Sequence, residues 1–185
     1  MIKKIIISFF ILFHTSAFAE NILTVGTYDS FAADWGPGPN IEDEFEKICN
    51  CDLQFIATSQ AGSLSSDIFV KGKDVILGVE HNDFDTSYND NLWAFYDYGY
   101  FAFIYDNSKL NNPPKSMNDL VNRNDLKIVV QDPRTSPVGM GLLRWMKSIF
   151  GDDYQYKMNK FDKNVVTYTP GWTEAYGMFL EGNAD

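Results

Sequence analysis

Apolar positions along the chain come in short runs separated by polar stretches with helical periodicity. Ile22 to Val25 reads as a buried strand. Asn40 is placed to cap a helix whose apolar positions Ile41, Phe45 and Ile48 recur at i, i+4 and i+7. Glu42, Asp43 and Glu44 stand in its first turn, where the helix dipole favours them. Leu53 to Ala57 is the next strand, Ser63 to Val70 a short helical stretch, and Lys73 to Val79 contains a third strand. Strand, helix, strand, helix, strand in this order predicts a parallel sheet covered by helices on both faces. Ligands of such sheets bind beyond the carboxyl ends of the strands. Two loops occupy that position: Thr27 to Pro39, which reads TYDSFAADWGPGP, and Gly78 to Asp83.

A second series follows. Phe84 to Trp93 is polar and predicts a loop, and Tyr96 to Asp106 is an aromatic, strand-like run. As a strand it would put Tyr96, Tyr98 and Tyr100 on one face, with Gly99 marking a bend. The break at Asn111 to Ser116 contains two prolines. Beyond it a helix is expected over Ser116 to Val121 and a strand over Leu126 to Val130, ending in the loop Gln131 to Ser136. A helix over Val138 to Phe150 and a strand over Val165 to Tyr168 follow, then a last helix over Thr173 to Leu180 with Thr173 as its cap. The expected fold is therefore α/β, with two lobes joined by the Tyr96 to Asp106 run and a second sheet that is small and rich in edges.

The N-terminus changes how much of the chain belongs to that fold. Lys3 and Lys4, the apolar run Ile5 to Phe13 and the Ala17-Phe18-Ala19 site have the layout of a cleaved secretory signal, and the run is too short to span a bilayer. The organisation expected is a signal peptide over 1–19, a first lobe over 20–95, a crossing hinge strand over 96–106 and a second lobe over 107–185. Export removes two lysines, so the net charge of −10 becomes −12. A chain this acidic is repelled by nucleic acid and by anionic membrane surfaces. Cys49 and Cys51, one residue apart, are expected to be oxidised in an exported protein. His81 is the one histidine beyond the signal, a poor basis for a zinc site.

Candidate chemistry concentrates in three loops, and none contains an evident catalytic group. Trp35, stiffened by the Gly36-Pro37-Gly38-Pro39 run that follows it, offers an aromatic face to a cation or a ring. It equally fits as a tryptophan packed on the helix after Asn40. Tyr28 is either a hydroxyl donor or a core tyrosine. Thr135 and Ser136 precede Pro137 at a helix start, which suits an anion or an ordinary N-cap. Arg134 adds charge there or pairs with Asp132. Trp172 stands exposed at a strand-to-helix turn, with Tyr176 on the core side of the helix.

Five blocks in order, TYDSFAADWGPGP, CNC, YDYGYFAFIYD with KLNNPP after it, QDPRTSPVGMGLLRWM and GWTEAYGMFLEG, resemble the thiamine-binding periplasmic proteins of bacterial ABC transporters. The resemblance implies a type II solute-binding protein: two α/β lobes, a cleft between them, and hinge strands connecting them. It implies capture of thiamine, thiamine phosphate or thiamine diphosphate in the periplasm for delivery to an ABC permease, with no catalysis, cofactor or resident metal. By motif match, Tyr28, Trp35, Ser136 and Trp172 fall on ligand-contact positions. The family is longer, however, and it carries a connection that is shortened here between about Asp85 and Trp93. It also has an acidic-Gly pair near the ligand where this chain reads Thr58-Ser59-Gln60-Ala61-Gly62. A truncated chain with its C-terminal part missing is therefore expected. The alternatives are a binder of ferric ion or another small solute on the same scaffold, a remnant that does not bind, or a thiamine-degrading enzyme. That enzyme would need a nucleophilic cysteine, and Cys49 and Cys51 adjoin a helix end rather than a cleft loop.

Overall fold

β1 (Asn21–Tyr28) is an eight-residue strand buried at its centre, Val25-Gly26-Thr27. The structure, a computed structural model, describes residues 21–81 and 93–185. The expected signal peptide and most of the polar stretch from Phe84 lie outside the described residues. β1 runs between β2 (Cys51–Thr58) and β3 (Val75–Ile76) in the order β2-β1-β3, with both pairings parallel. The β1–β2 register is unbroken from Asn21 opposite Cys51 to Tyr28 opposite Thr58. β3 meets β1 only at Val25 and Gly26, so the predicted third strand shrinks to two residues.

The crossover from β1 to β2 is made by α1 (Asp29–Ala32) and α2 (Gly38–Cys49). α2 starts earlier than an Asn40 cap predicts. Pro37 is its N-cap and Pro39 sits in the first turn, where a missing N–H costs nothing. The helix ends at Asn50, which adopts the left-handed conformation (φ 53°) that asparagine tolerates. A disulfide joins Cys49 and Cys51 on either side of it. The amphipathic period of α2 does not translate into burial: Ile41, Phe45 and Ile48 are all exposed, Ile48 to 80%. α3 (Asp67–Val70), capped by the Ser66 hydroxyl, leads into β3.

The second sheet pairs β4 (Ile128–Gln131) with β5 (Val165–Thr169), again in parallel, with a register shift after Ile128. Around it lie α4 (Met117–Asn122), α5 (Pro137–Phe150), α6 (Tyr154–Phe161) and α7 (Trp172–Leu180). The contiguous core belongs to this half. Met146 and Phe161 are wholly buried, and Val121, Leu120, Ile128, Val130 and Leu142 close around them. In the first half the buried apolar residues are fewer: Val25, Phe31, Leu53 and Leu64.

The expected hinge strand over 96–106 is not a strand. A strand is held by a ladder, and this run pairs with neither sheet. Its phenyl rings instead pack on α5 and α6. Phe103 stacks on Trp145 with centroids 6.1 Å apart and meets Phe161 at 5.9 Å. Tyr98 and Tyr100 point to solvent, so the predicted common face of three phenols does not form, and a Cβ added at Gly99 would meet nothing within 4 Å. Among the described residues no helix is long and apolar enough to cross a membrane.

Candidate functional site

Both sheets are parallel, so their carboxyl ends gather loops, and here the loops of the two halves meet. Beyond β5, the Asp132 N–H donates to Thr169 O at 2.7 Å, and the Thr135 hydroxyl donates to Pro170 O at 2.8 Å. These bonds tie the loop after β4 to the loop after β5. Across the seam, the Gly62 N–H donates to Thr135 O at 2.9 Å. Gly171 lies against the carbonyl of Ser59, where an added Cβ would stand 2.5 Å from that oxygen. The segment Ser59 to Gly62 of the first half thus rests directly on the two loops of the second.

Trp35 and Trp172 meet across this seam. Trp35 follows α1 in a turn closed by the Gly36 N–H donating to Ala33 O at 2.8 Å. The residue is 60% exposed, and its ring faces the ring of Trp172, with centroids 5.5 Å apart and a 39° tilt. Trp172 opens α7 and stacks on Tyr176, one turn along, at 4.5 Å. Tyr176 in turn stacks on Phe179 at 6.3 Å. Tyr176, expected in the core, is therefore half-buried and part of an aromatic ladder. The i, i+4 spacing of Trp172 and Tyr176 was the signal that could have found it. The ladder borders an apolar groove that is also lined by Phe101, Phe103, Leu142 and Trp145.

Tyr28 ends β1 and turns elsewhere. Its ring covers Gly78, whose φ of +90° and missing Cβ let the phenol lie directly on the backbone. Burial pushes the Tyr28 phenol above its ordinary value. A hydrogen bond with Tyr96 works against that rise, and the nearby carboxylates of Asp97 and Glu80 add to it. Tyr96 is raised further, again chiefly by burial. Both are neutral phenols at physiological pH, able to donate as well as accept.

Ser136 is 3% exposed and fully engaged. Its hydroxyl donates to Gln131 Oε1 at 2.6 Å and accepts from the Val138 N–H at 3.2 Å. Of the two readings of this serine, the N-cap is the one its contacts describe. Arg134 pairs with Asp132 through its guanidinium and its backbone N–H, which holds the Asp132 carboxyl down at about 2. The cap expected at Thr173 is not formed, because α7 takes Gly171 as N-cap. Instead Thr173 Oγ1 and Glu174 Oε2 are buried with no hydrogen-bond partner. Among the described residues no three His, Cys, Asp or Glu side chains converge as a metal site would require.

Of the four predicted contact residues, the structure brings Trp35 and Trp172 together, sets Tyr28 beside Tyr96, and seals Ser136 into the start of α5. No family model matches the chain. It is 41% identical to the thiamine-binding periplasmic protein of Escherichia coli (strain K12), with all of this chain covered and 64% of the relative. The alignment runs over 211 positions for a chain of 185, so the relative carries stretches inside the matched span that this chain lacks. Identity to the Salmonella typhimurium protein of the same name is 42% over the same share. Identity to that of Haemophilus influenzae is 36%, covering 94% of this chain and 61% of the relative. A solved periplasmic thiamin binding protein superimposes with a TM-score of 0.81 at 41% identity, covering 90% of this chain and 60% of that one. By sequence and by fold, the chain is a relative of the thiamine-binding periplasmic proteins that spans a little under two-thirds of their length.

Proposed function

We propose that the chain is an exported solute-binding protein that captures thiamine and its phosphates between its two lobes, in the periplasm, for delivery to an ABC permease. The observation that carries this reading is the Trp35–Trp172 pair, two partly exposed indoles contributed by different lobes and facing one another across the seam. Thiamine offers a cationic thiazolium and an aminopyrimidine. An indole face attracts the cation by about 0.5–2 kcal/mol according to how far the site is desolvated. Two such faces on separate lobes couple binding to closure, because the ligand contacts both lobes only when they approach. The lobes are 20–95 and 107–185, with 96–106 as their connection.

Tyr28 and Tyr96 add neutral hydroxyl donors at the carboxyl end of β1. Ser136 acts one step removed, by fixing the first turn of α5 and the DPRTS loop that carries Thr135 to the seam. No residue of the site is asked to make or break a covalent bond.

The test is isothermal titration of thiamine, thiamine phosphate and thiamine diphosphate into the folded chain without residues 1–19. Saturable heat with one-to-one stoichiometry supports the reading. A folded sample that gives neither heat nor a change in tryptophan emission overturns it.

A further inference from the structure

The first turn of α7 contains a carboxylate that the fold leaves without a partner. Glu174 Oε2 is buried and accepts no hydrogen bond. It lies 3.4 Å from where a Cβ of Gly171 would stand, at the point where Gly171 backs onto the Ser59 carbonyl of the first lobe. The position invites a capping contact, since Glu174 is three residues after the Gly171 N-cap, yet no side chain caps this helix. No lysine or arginine of the described residues lies within ion-pair distance of it. The nearest stretch of the first lobe, Ser59-Gln60-Ala61-Gly62, has no cationic side chain. Beside it Thr173 Oγ1 is buried and unpartnered as well. A buried carboxylate oxygen without a donor is costly, and a fold that keeps one at a seam between lobes holds an acceptor ready for a donor from outside.

Resting on the thiamine reading above, we infer that Glu174 is the acceptor for the amino group of the ligand's aminopyrimidine, and so the residue that selects the amino over the oxo form. Trp172 opens the same turn and faces Trp35 across the seam. The first turn of α7 thus brings a stacking ring and an unpartnered acceptor to the same seam between the lobes. The donor must belong to a flat, neutral heterocycle with an exocyclic NH₂. A carbonyl in the same place would bring two acceptors together.

The experiment compares thiamine with oxythiamine, its 4-oxo analogue, on the wild-type chain and on Glu174→Gln, by titration calorimetry. The wild type is expected to prefer thiamine by about tenfold or more, because a site built to accept from the substrate leaves its acceptor unpaired when the donor is absent. In Glu174→Gln the carboxamide can donate to the oxo group, so the preference should collapse to within about twofold or invert. A selectivity ratio that is unchanged in Glu174→Gln overturns the inference while leaving thiamine binding intact. Absence of thiamine binding by the wild type overturns the functional reading and this assignment together. Denaturant unfolding without ligand gives a second readout: Glu174→Gln should match or exceed wild-type stability. A clear loss would show that the carboxylate serves the fold, and would also overturn the assignment.

Discussion

The indole rings of Trp35 and Trp172 sit 5.5 Å apart, centroid to centroid, across the seam between the lobes. A planar ligand held between two rings needs about 3.5 Å on each side, or roughly 7 Å in all. The pair as it stands is closed on itself, so entry of a ring must part it. Thiamine addition is therefore expected to change tryptophan emission. Trp35→Ala should weaken binding roughly 2- to 30-fold, the range that a cation–π contact of about 0.5–2 kcal/mol spans. Because Trp35 is 60% exposed, the same change should lower stability by no more than about 1 kcal/mol, the worth of one aromatic pair. Unchanged affinity in Trp35→Ala would remove this ring from the site.

Gly171 has no room for a side chain. Its missing Cβ would stand 2.5 Å from the Ser59 carbonyl oxygen, a backbone atom of the other lobe that cannot swing aside. Gly171→Ala is expected to push the seam open and cost about 1–3 kcal/mol in urea unfolding, with weaker ligand binding as the lobes close less fully. A Cβ added at Gly177, in the same helix, would meet nothing within 4 Å. Gly177→Ala should stabilise by about 0.5–1 kcal/mol through helix propensity alone. Opposite signs in one helix separate the steric effect from the conformational one.

Ser136 separates a structural role from a ligand-binding one. Its buried hydroxyl bridges Gln131 and the Val138 N–H, so Ser136→Ala leaves a buried amide oxygen and a helix N–H unpaired. The expected loss is about 1–3 kcal/mol of stability at every ligand concentration. Thiamine affinity, measured on the fraction that remains folded, should change by less than about threefold, which is under 1 kcal/mol. A large affinity loss with stability unchanged would restore a direct contact.

Much of this architecture was readable in the chain because parallel α/β units announce themselves through alternation. β1, β2, β4, β5, α4, α5 and α7 fall within a few residues of their predicted positions. α6 was not predicted although Tyr154, Met158 and Phe161 keep helical spacing, because the polar residues between them dilute the apolar period. The run around Tyr98 was misread for a different reason. Alternating aromatics describe what a strand would do given a neighbour, and strand structure is a property of the pair, not of one segment. α2 teaches the same lesson. Its period predicted the helix correctly, yet burial of Ile41, Phe45 and Ile48 depends on a covering element that is not found among the described residues. At the site, Trp35 and Trp172 were legible as exposed aromatics in loops. Glu174 was not, because an unpartnered oxygen is invisible until the groups around it are placed.

The Asp132–Arg134 pair makes a pH prediction. Three hydrogen bonds from the Arg134 guanidinium, two from Nε and one from Nη2, and one from its backbone N–H lower the Asp132 carboxyl from its ordinary 3.8 to about 2. A depressed carboxyl contributes its stability fully above the unfolded value, and that contribution fades as pH falls through the folded one. Wild-type denaturation midpoints should therefore drop between pH 4 and pH 2. Arg134→Gln should flatten this part of the profile without abolishing it, because the backbone donor remains. With Arg134 86% exposed the effect is screened and small, so the slope in low salt is the quantity to measure. An identical slope in the variant would assign the acid sensitivity to other carboxylates.

The uneven distribution of core between the lobes has an energetic consequence that can be measured directly. Phe161 and Met146 are fully buried and touch the same cluster as Val121, Ile128 and Leu142, so truncating either opens a cavity among close-packed neighbours. Phe161→Ala is expected to cost about 3–5 kcal/mol and Met146→Ala about 2–5 kcal/mol, a large share of the stability of any domain this size. Ile48 occupies the apolar stripe of α2 that sequence periodicity assigns to a core, yet it is 80% exposed. Ile48→Ala should change stability by no more than about 0.5 kcal/mol, as surface substitutions do. Hydrogen exchange should show the same asymmetry: α5 and β4 amides exchanging through the slowest, most global opening, and α2 amides through local fraying. If Ile48→Ala proved as costly as Met146→Ala, α2 would have to be covered in solution. The helix would then be packed by its sequence period, and the open face described above would be wrong.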